Sequence, residues 1–129
     1  MIKIFARFWA KHSYIWKLEK EASTQELHAK LAALHAEQKR TEAEQLNADA
    51  DAIEANIKAE QEKEEYRKLE GQEKYKADQE LNDARHMIES HRQRAAALAK
   101  EVTDNEKVAQ HFRREAERSH ASATEIKSL

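Results

Sequence analysis

A chain of 129 residues with no proline and a single glycine, Gly71, has few ways to reverse direction in tight turns. Turn-dense β and α/β folds rely on Gly and Pro for backbone conformations that other residues adopt reluctantly, so helix is the class that remains. The rest of the composition agrees. Ala occurs 23 times, and Glu, Lys, Gln and Leu fill much of the remainder; these are strong helix formers. Val, Ile, Leu and Phe number only 21, too few to build a compact core around a substrate cleft. Charged residues make up 37% with a net charge of −2, which is not the unbalanced charge of a disordered chain. The absence of Cys excludes a disulfide scaffold and a Cys-based zinc site. A long helix or coiled coil is the architecture that such a composition serves.

Charge and aromatic residues are unevenly distributed. Residues 1–20 carry five basic side chains against Glu19 alone, while residues 21–129 carry 18 basic and 24 acidic ones. Five of the eight aromatic rings, Phe5, Phe8, Trp9, Tyr14 and Trp16, fall in that basic opening. At 100° per residue, Met1, Ile2, Ile4, Phe5, Phe8, Trp9, His12, Ile15 and Trp16 share one arc of about 160°. Lys3, Arg7, Lys11 and Lys17 lie opposite, with Tyr14 and Leu18 among them. Four cations in about 18 residues prevent a bilayer span. An interfacial helix fits better: Ile4, Phe5, Phe8, Trp9, Ile15 and Trp16 enter the acyl boundary while the four cations meet anionic headgroups. Packing of this face on another helix and a cleaved organelle presequence are the alternatives.

Beyond residue 20, Ser23 with Glu26 three residues on fits a capping box, which predicts a bend near Ala22–Thr24. From Leu27 the uncharged positions step by four and three through Leu31, Leu34, Gln38, Thr41, Gln45, Ala48, Ala52, Ala55 and Ala59, and this is the expected first seam. Leu46, Ala50, Ile53 and Ile57 form a second, offset line. Residues 58–76 are mostly charged, with Glu64–Lys68 and Glu70–Lys74 as favourable i,i+4 pairs. Gly71 lies within this stretch, near the midpoint of residues 21–129, and after Leu69 and Glu70 it suits a helix C-cap. A continuous helix remains the competing form, because one internal Gly costs only about 1 kcal/mol. The later half keeps a strict four-three line through Ala77, Leu81, Ala84, Ile88, His91, Ala95, Leu98, Val102, Asn105, Ala109, Phe112, Ala116, Ser119, Ala123 and Ile126, a sustained heptad. Leu81, Ile88, Leu98, Val102, Phe112 and Ile126 are its largest apolar members.

Chemistry-bearing patterns are sparse. Seven His residues show no zincin-type pair with an intervening Glu, and no metal ligand or cofactor is expected. No phosphate-binding glycine loop or Ser/His/Asp set occurs, so no enzyme is expected. Arg92, Arg94, Arg113 and Arg114 lie among acids that oppose a phosphate backbone, which makes nucleic acid an improbable partner.

Ile4-Phe5-Ala6-Arg7-Phe8, opening an amphipathic helix that leads into a long helical body, resembles the start of the phage shock protein A and Vipp family. The resemblance implies binding to anionic, stressed membranes through the N-terminal helix and assembly into rods or rings of an ESCRT-III-like fold.

The expected fold is all-α: an elongated coiled coil arranged as an antiparallel helical hairpin, preceded by a short amphipathic helix. Its parts are residues 1–20, a first coiled-coil helix over 23–70, a turn at 71–72 and a second helix over 73–129. The expected function is that of a non-enzymatic scaffold on an anionic membrane surface, cytoplasmic and peripheral at the inner face. It self-assembles as a homo-oligomer or recruits a helical partner. The alternative is a soluble structural adaptor whose N-terminal aromatic face packs on a protein or on its own oligomer.

Overall fold

The computed structural model describes residues 2–129. Three helices follow one another: α1 over Ile2–Glu62, α2 over Glu64–Arg67 and α3 over Gly71–Ser128. No strand occurs among the described residues. The protein is all-α, and its two long helices pack against each other.

α1 runs through Ala22–Thr24 without the expected bend, and so joins the segments predicted as residues 1–20 and 23–70. Thr24 explains part of this. Its Oγ1 donates to the Lys20 carbonyl at 3.0 Å, a bond made inside a helix rather than at a cap. Ala22, which is fully buried, ties the same turn to the helix contact. With no Pro or Gly nearby, a mid-helix Ser23 costs only a fraction of a kcal/mol.

The chain leaves α1 earlier than the predicted turn at 71–72. Lys63 adopts an extended backbone, with φ −64° and ψ 136°, and the single-turn α2 follows. Leu69 N–H closes that turn onto the Tyr66 carbonyl at 3.1 Å. The break therefore falls within the charged stretch, where a helix has least to bury. Its side chains cross-tie locally. Lys63 Nζ donates to Glu60 at 2.6 Å, which raises the ammonium pKa above its usual value. Lys68 meets Glu64 at 3.3 Å. Tyr66 donates its hydroxyl to Asp78, and that bond, chiefly, holds its phenol above the ordinary range. Gly71 is not a C-cap: it opens α3 with φ +64°, a conformation that glycine adopts without strain.

The described residues form two compact units. One comprises residues up to Glu37 together with Thr103–Leu129, and the other is Gln38–Val102. In the first, Ile15, Ala22, Ala29, Ala32 and Ala36 of α1 and Ala109, Ala116 and Ala123 of α3 are buried. Glu19 pairs with Lys127, Glu26 with His120 at 2.8 Å, and His28 stacks on Phe112 with centroids 5.1 Å apart. In the second, Ala43, Ala95 and Leu98 form a cluster with Leu46 packed on it, and Ala50, Ile57 and Val102 are buried as well. Around this unit Lys39 meets Glu101 at 3.5 Å, Arg94 meets Glu42 at 3.6 Å, and Arg92 meets both Asp51 and Glu54 at 3.0 and 3.1 Å. These pairs are exposed, so each adds little to stability.

The buried line of α1 differs from the expected first seam. Ile15, Ala22, Ala29, Ala36, Ala43, Ala50 and Ile57 recur every seven residues, all buried. Lys11, Leu18, Gln25, Ala32, Lys39, Leu46 and Ile53 recur with them, buried or half-buried. Leu27, Leu31 and Leu34 stay 45% to 57% exposed, and Gln38 to Ala59 on the same line are exposed too. The reason is steric. Alanine at most positions of the inner line lets two helix axes approach closely, and the larger Leu18, Leu46 and Ile53 are accommodated there half-buried. On α3 the four-three line from Ala77 to Ile126 is buried or half-buried throughout. Between those two residues Glu115 is the one other residue of that kind.

Two stability measurements test this arrangement. Gly71→Ala places an L-residue at φ +64° in open space and should lower the unfolding free energy by about 1–2 kcal/mol. In an uninterrupted helix the same change would raise it by about 1 kcal/mol, so a higher denaturation midpoint would rule out the break. Gln25 Oε1 is buried without a hydrogen-bond partner, a penalty of about 1–3 kcal/mol. Gln25→Leu should therefore raise the urea midpoint, and an unchanged midpoint would mean that this amide is hydrated.

Candidate functional site

From Lys3 to Ala10 every residue is exposed. Helical spacing sorts these side chains. Trp9 and Trp16 share one line, Phe5 and His12 the next, and Ile4, Phe8 and Lys11 follow the spacing of the buried line. Ile4, Phe5, Phe8, Trp9 and Trp16 keep 58% to 73% of their surface. Proteins rarely expose so many large apolar groups together without a use for them. Phe8 lies edge-on to His12 with centroids 4.3 Å apart. The Lys20 ammonium sits 5.0 Å over the Trp16 ring. Shallow open grooves flank Trp16, one formed with Trp9, His12 and Ser13, the other with Lys17, Lys20, Thr24 and Gln25.

Ile15 departs from the expected contact set. It is 7% exposed and belongs to the buried line of α1, so its side chain is not available to a lipid or a partner. Lys3, Arg7 and Lys17 are exposed, whereas Lys11 is half-buried on the inner line, four residues before Ile15. Met1 and the Ile2 side chain, placed on the aromatic arc from sequence, lie outside the described residues. Of the α3 residues singled out as seam, Leu98 and Val102 are buried, and Leu81, Ile88, Phe112 and Ile126 are half-buried.

The remaining chemistry-bearing residues are dispersed. His28 and His111 contact Phe112, His120 contacts Glu26, and His91 is half-buried on the α3 line. No group of three or more metal-binding side chains occurs among the described residues. Arg92 and Arg94 are engaged by Asp51, Glu54 and Glu42. No helix of the described residues is long and apolar enough to cross a membrane.

Of the inner line of α1, the sequence showed the end, since the second, offset line of Leu46, Ala50, Ile53 and Ile57 lies on it, and the earlier part was missed. A signal for it was present: Ala22, Ala29, Ala36, Ala43 and Ala50 fall at intervals of seven. Larger leucines on another line drew the assignment away. Compared with protein-family models, curated proteins and solved structures, the chain matches none.

Proposed function

We propose that this protein is a non-enzymatic, membrane-surface-associated helical scaffold, anchored by the start of α1 and built as an antiparallel coiled-coil hairpin. The observation that carries the anchor is the run Lys3–Ala10, exposed throughout, with five large apolar side chains nearby keeping more than half their surface. Lys3, Arg7 and Lys17 are free to meet lipid phosphates. At about 1 kcal/mol per cation near an anionic leaflet, three give about 3 kcal/mol, which alone is weaker than millimolar binding. Rings entering the acyl boundary add about 1.5–3 kcal/mol each when fully buried, enough for reversible anchoring. Since the anionic leaflet is the cytoplasmic one, a peripheral position on the inner face follows. The resemblance to the phage shock protein A and Vipp family points the same way.

The hairpin is supported within each unit separately. In the first, the α1 partners of Lys127, His120 and Phe112 are Glu19, Glu26 and His28. In the second, Lys39 faces Glu101 while Glu54 faces Arg92. Numbers that rise on α1 as they fall on α3 are the mark of an antiparallel pair. The seven-residue recurrence on both helices supports coiled-coil packing.

One observation favours the soluble adaptor as a second reading. Ile4 and Phe8 continue the spacing of Ile15 and Ala22, as they would if another helix took up that line.

Co-sedimentation with phosphatidylglycerol vesicles and with neutral phosphatidylcholine vesicles separates the two readings. The scaffold reading expects selective pelleting with the anionic vesicles and a blue shift of tryptophan emission. It expects at least a tenfold loss for Phe8→Glu with Trp9→Glu, and a comparable loss when Lys3, Arg7 and Lys17 become Gln. Equal pelleting of intact chain and both variants would refute the anchor. If the apolar change alters oligomer size and the cation change does nothing, the adaptor reading stands instead.

A further inference from the structure

α1 carries a second ordered line, on the side away from α3. It runs from Leu27 to Ala59 in steps of four and three, through ten exposed positions. None of the ten is charged, in a chain of which 37% is charged. On an ideal helical wheel its centre lies about 160° from the buried Ala22–Ala29–Ala36 line. The corresponding outward line of α3 is different, since it holds Lys100, Asp104, Lys107, Arg114 and Arg118. An outward face needs charge to stay solvated, and α1 withholds it from this line alone.

We infer that this outer line is the contact surface for a second copy of the chain, running antiparallel, with the two-fold axis near residue 43. The proposal deepens the self-association in the scaffold reading above and rests on it. The order of residue sizes argues for the occupant. The line begins with Leu27, Leu31 and Leu34 and ends with Ala52, Ala55 and Ala59. In an antiparallel pair these meet as Leu27 with Ala59, Leu31 with Ala55 and Leu34 with Ala52, and each layer joins one large side chain to one small one. A parallel pair stacks Leu on Leu at one end and Ala on Ala at the other. Because helix separation follows side-chain size, that pair would splay into a wedge.

Extent agrees with this occupant. The thirty-three residues from Leu27 to Ala59 span about 50 Å at 1.5 Å per residue. A strip about 10 Å wide then buries roughly 500 Å² per copy, and both copies together reach the ~1,000 Å² of a specific interface. Charge is also accommodated. Glu42 and Asp51 beside the line are held by Arg94 and Arg92 of the same chain, which lowers the repulsion between the acidic flanks of two copies.

The chain contains no cysteine, so introduced thiols report geometry without interference. Leu34→Cys combined with Ala52→Cys in one chain should give disulfide-linked dimers on mild oxidation in lipid-free solution. Leu34→Cys alone should not, because the two copies of residue 34 would lie about 27 Å apart along the pair. Light scattering of the intact chain should give twice the mass of one chain, and Leu31→Glu should return it to one. Leu31→Glu should still pellet with phosphatidylglycerol vesicles, while Phe8→Glu with Trp9→Glu should keep the dimer mass; failure of the lipid reading is thereby told apart from failure of this one. The proposal is overturned by a monomeric intact chain, by dimers linked through Leu34→Cys alone, or by a dimer that the double-cysteine chain does not link. It is equally overturned if Leu31→Glu abolishes vesicle binding and leaves the mass unchanged, since the outer line then belongs to the lipid face.

Discussion

Close approach of two helix backbones over alanine is the interaction on which the rest depends. Of the fourteen buried hydrophobic residues among those described, ten are alanine. One buried methyl contributes only about 0.8 kcal/mol, so no single contact dominates and repetition at seven-residue intervals supplies the stability. The exposed ion pairs beside the buried line add little energy. Lys39 with Glu101 and Arg92 with Asp51 and Glu54 serve instead to favour one register, since an alanine line slid by one heptad presents nearly the same surface to its neighbour. Isolated polar residues on the line have the same use: Gln25 and Lys39 on α1 and His91 and Asn105 on α3 are tolerated there because they distinguish one heptad from the next.

Committing alanine to the inner line has a consequence for the other faces. The chain has few large apolar side chains, and most of those on α1 are not needed between the helices. Leu27, Leu31 and Leu34 stand on the outer side, and Ile4, Phe5, Phe8, Trp9 and Trp16 stand at its start. In an ordinary globule such residues would form the core. Here they remain exposed, and the smaller alanines take most of the inner line.

Legibility of the fold in the sequence divided along the same line. The all-α class was evident from the missing Pro and the single Gly, and the α3 line was readable because Leu81, Ile88, Leu98, Val102 and Phe112 mark it with bulk. The α1 line was readable only at its end, through Leu46, Ile53 and Ile57; before them hydrophobic periodicity, which weights size, pointed to Leu27, Leu31 and Leu34. Ser23 and Glu26 gave a valid capping pattern, but nothing local compels a helix to end where tertiary contact, through Ala22, continues across it. Gly71 was recognised as a breaker, but it opens α3, and the connection lies before it at residues 63–70. At the candidate site the set of exposed apolar residues Ile4, Phe5, Phe8, Trp9 and Trp16 was legible, and the half-burial of Lys11 on the inner line was not. The burial of Ile15 was not, because its partner line had been misplaced.

An α-helix offers seven positions per two turns, and α1 divides them. Two form the inner line toward α3, two form the uncharged outer line, and the remaining three carry most of its charge. That division is possible only because the inner contact is narrow: a leucine-lined seam would recruit the flanking positions and leave too little circumference for a second line. The abundance of alanine that makes α1 hard to read from sequence is therefore also what leaves its outer line exposed.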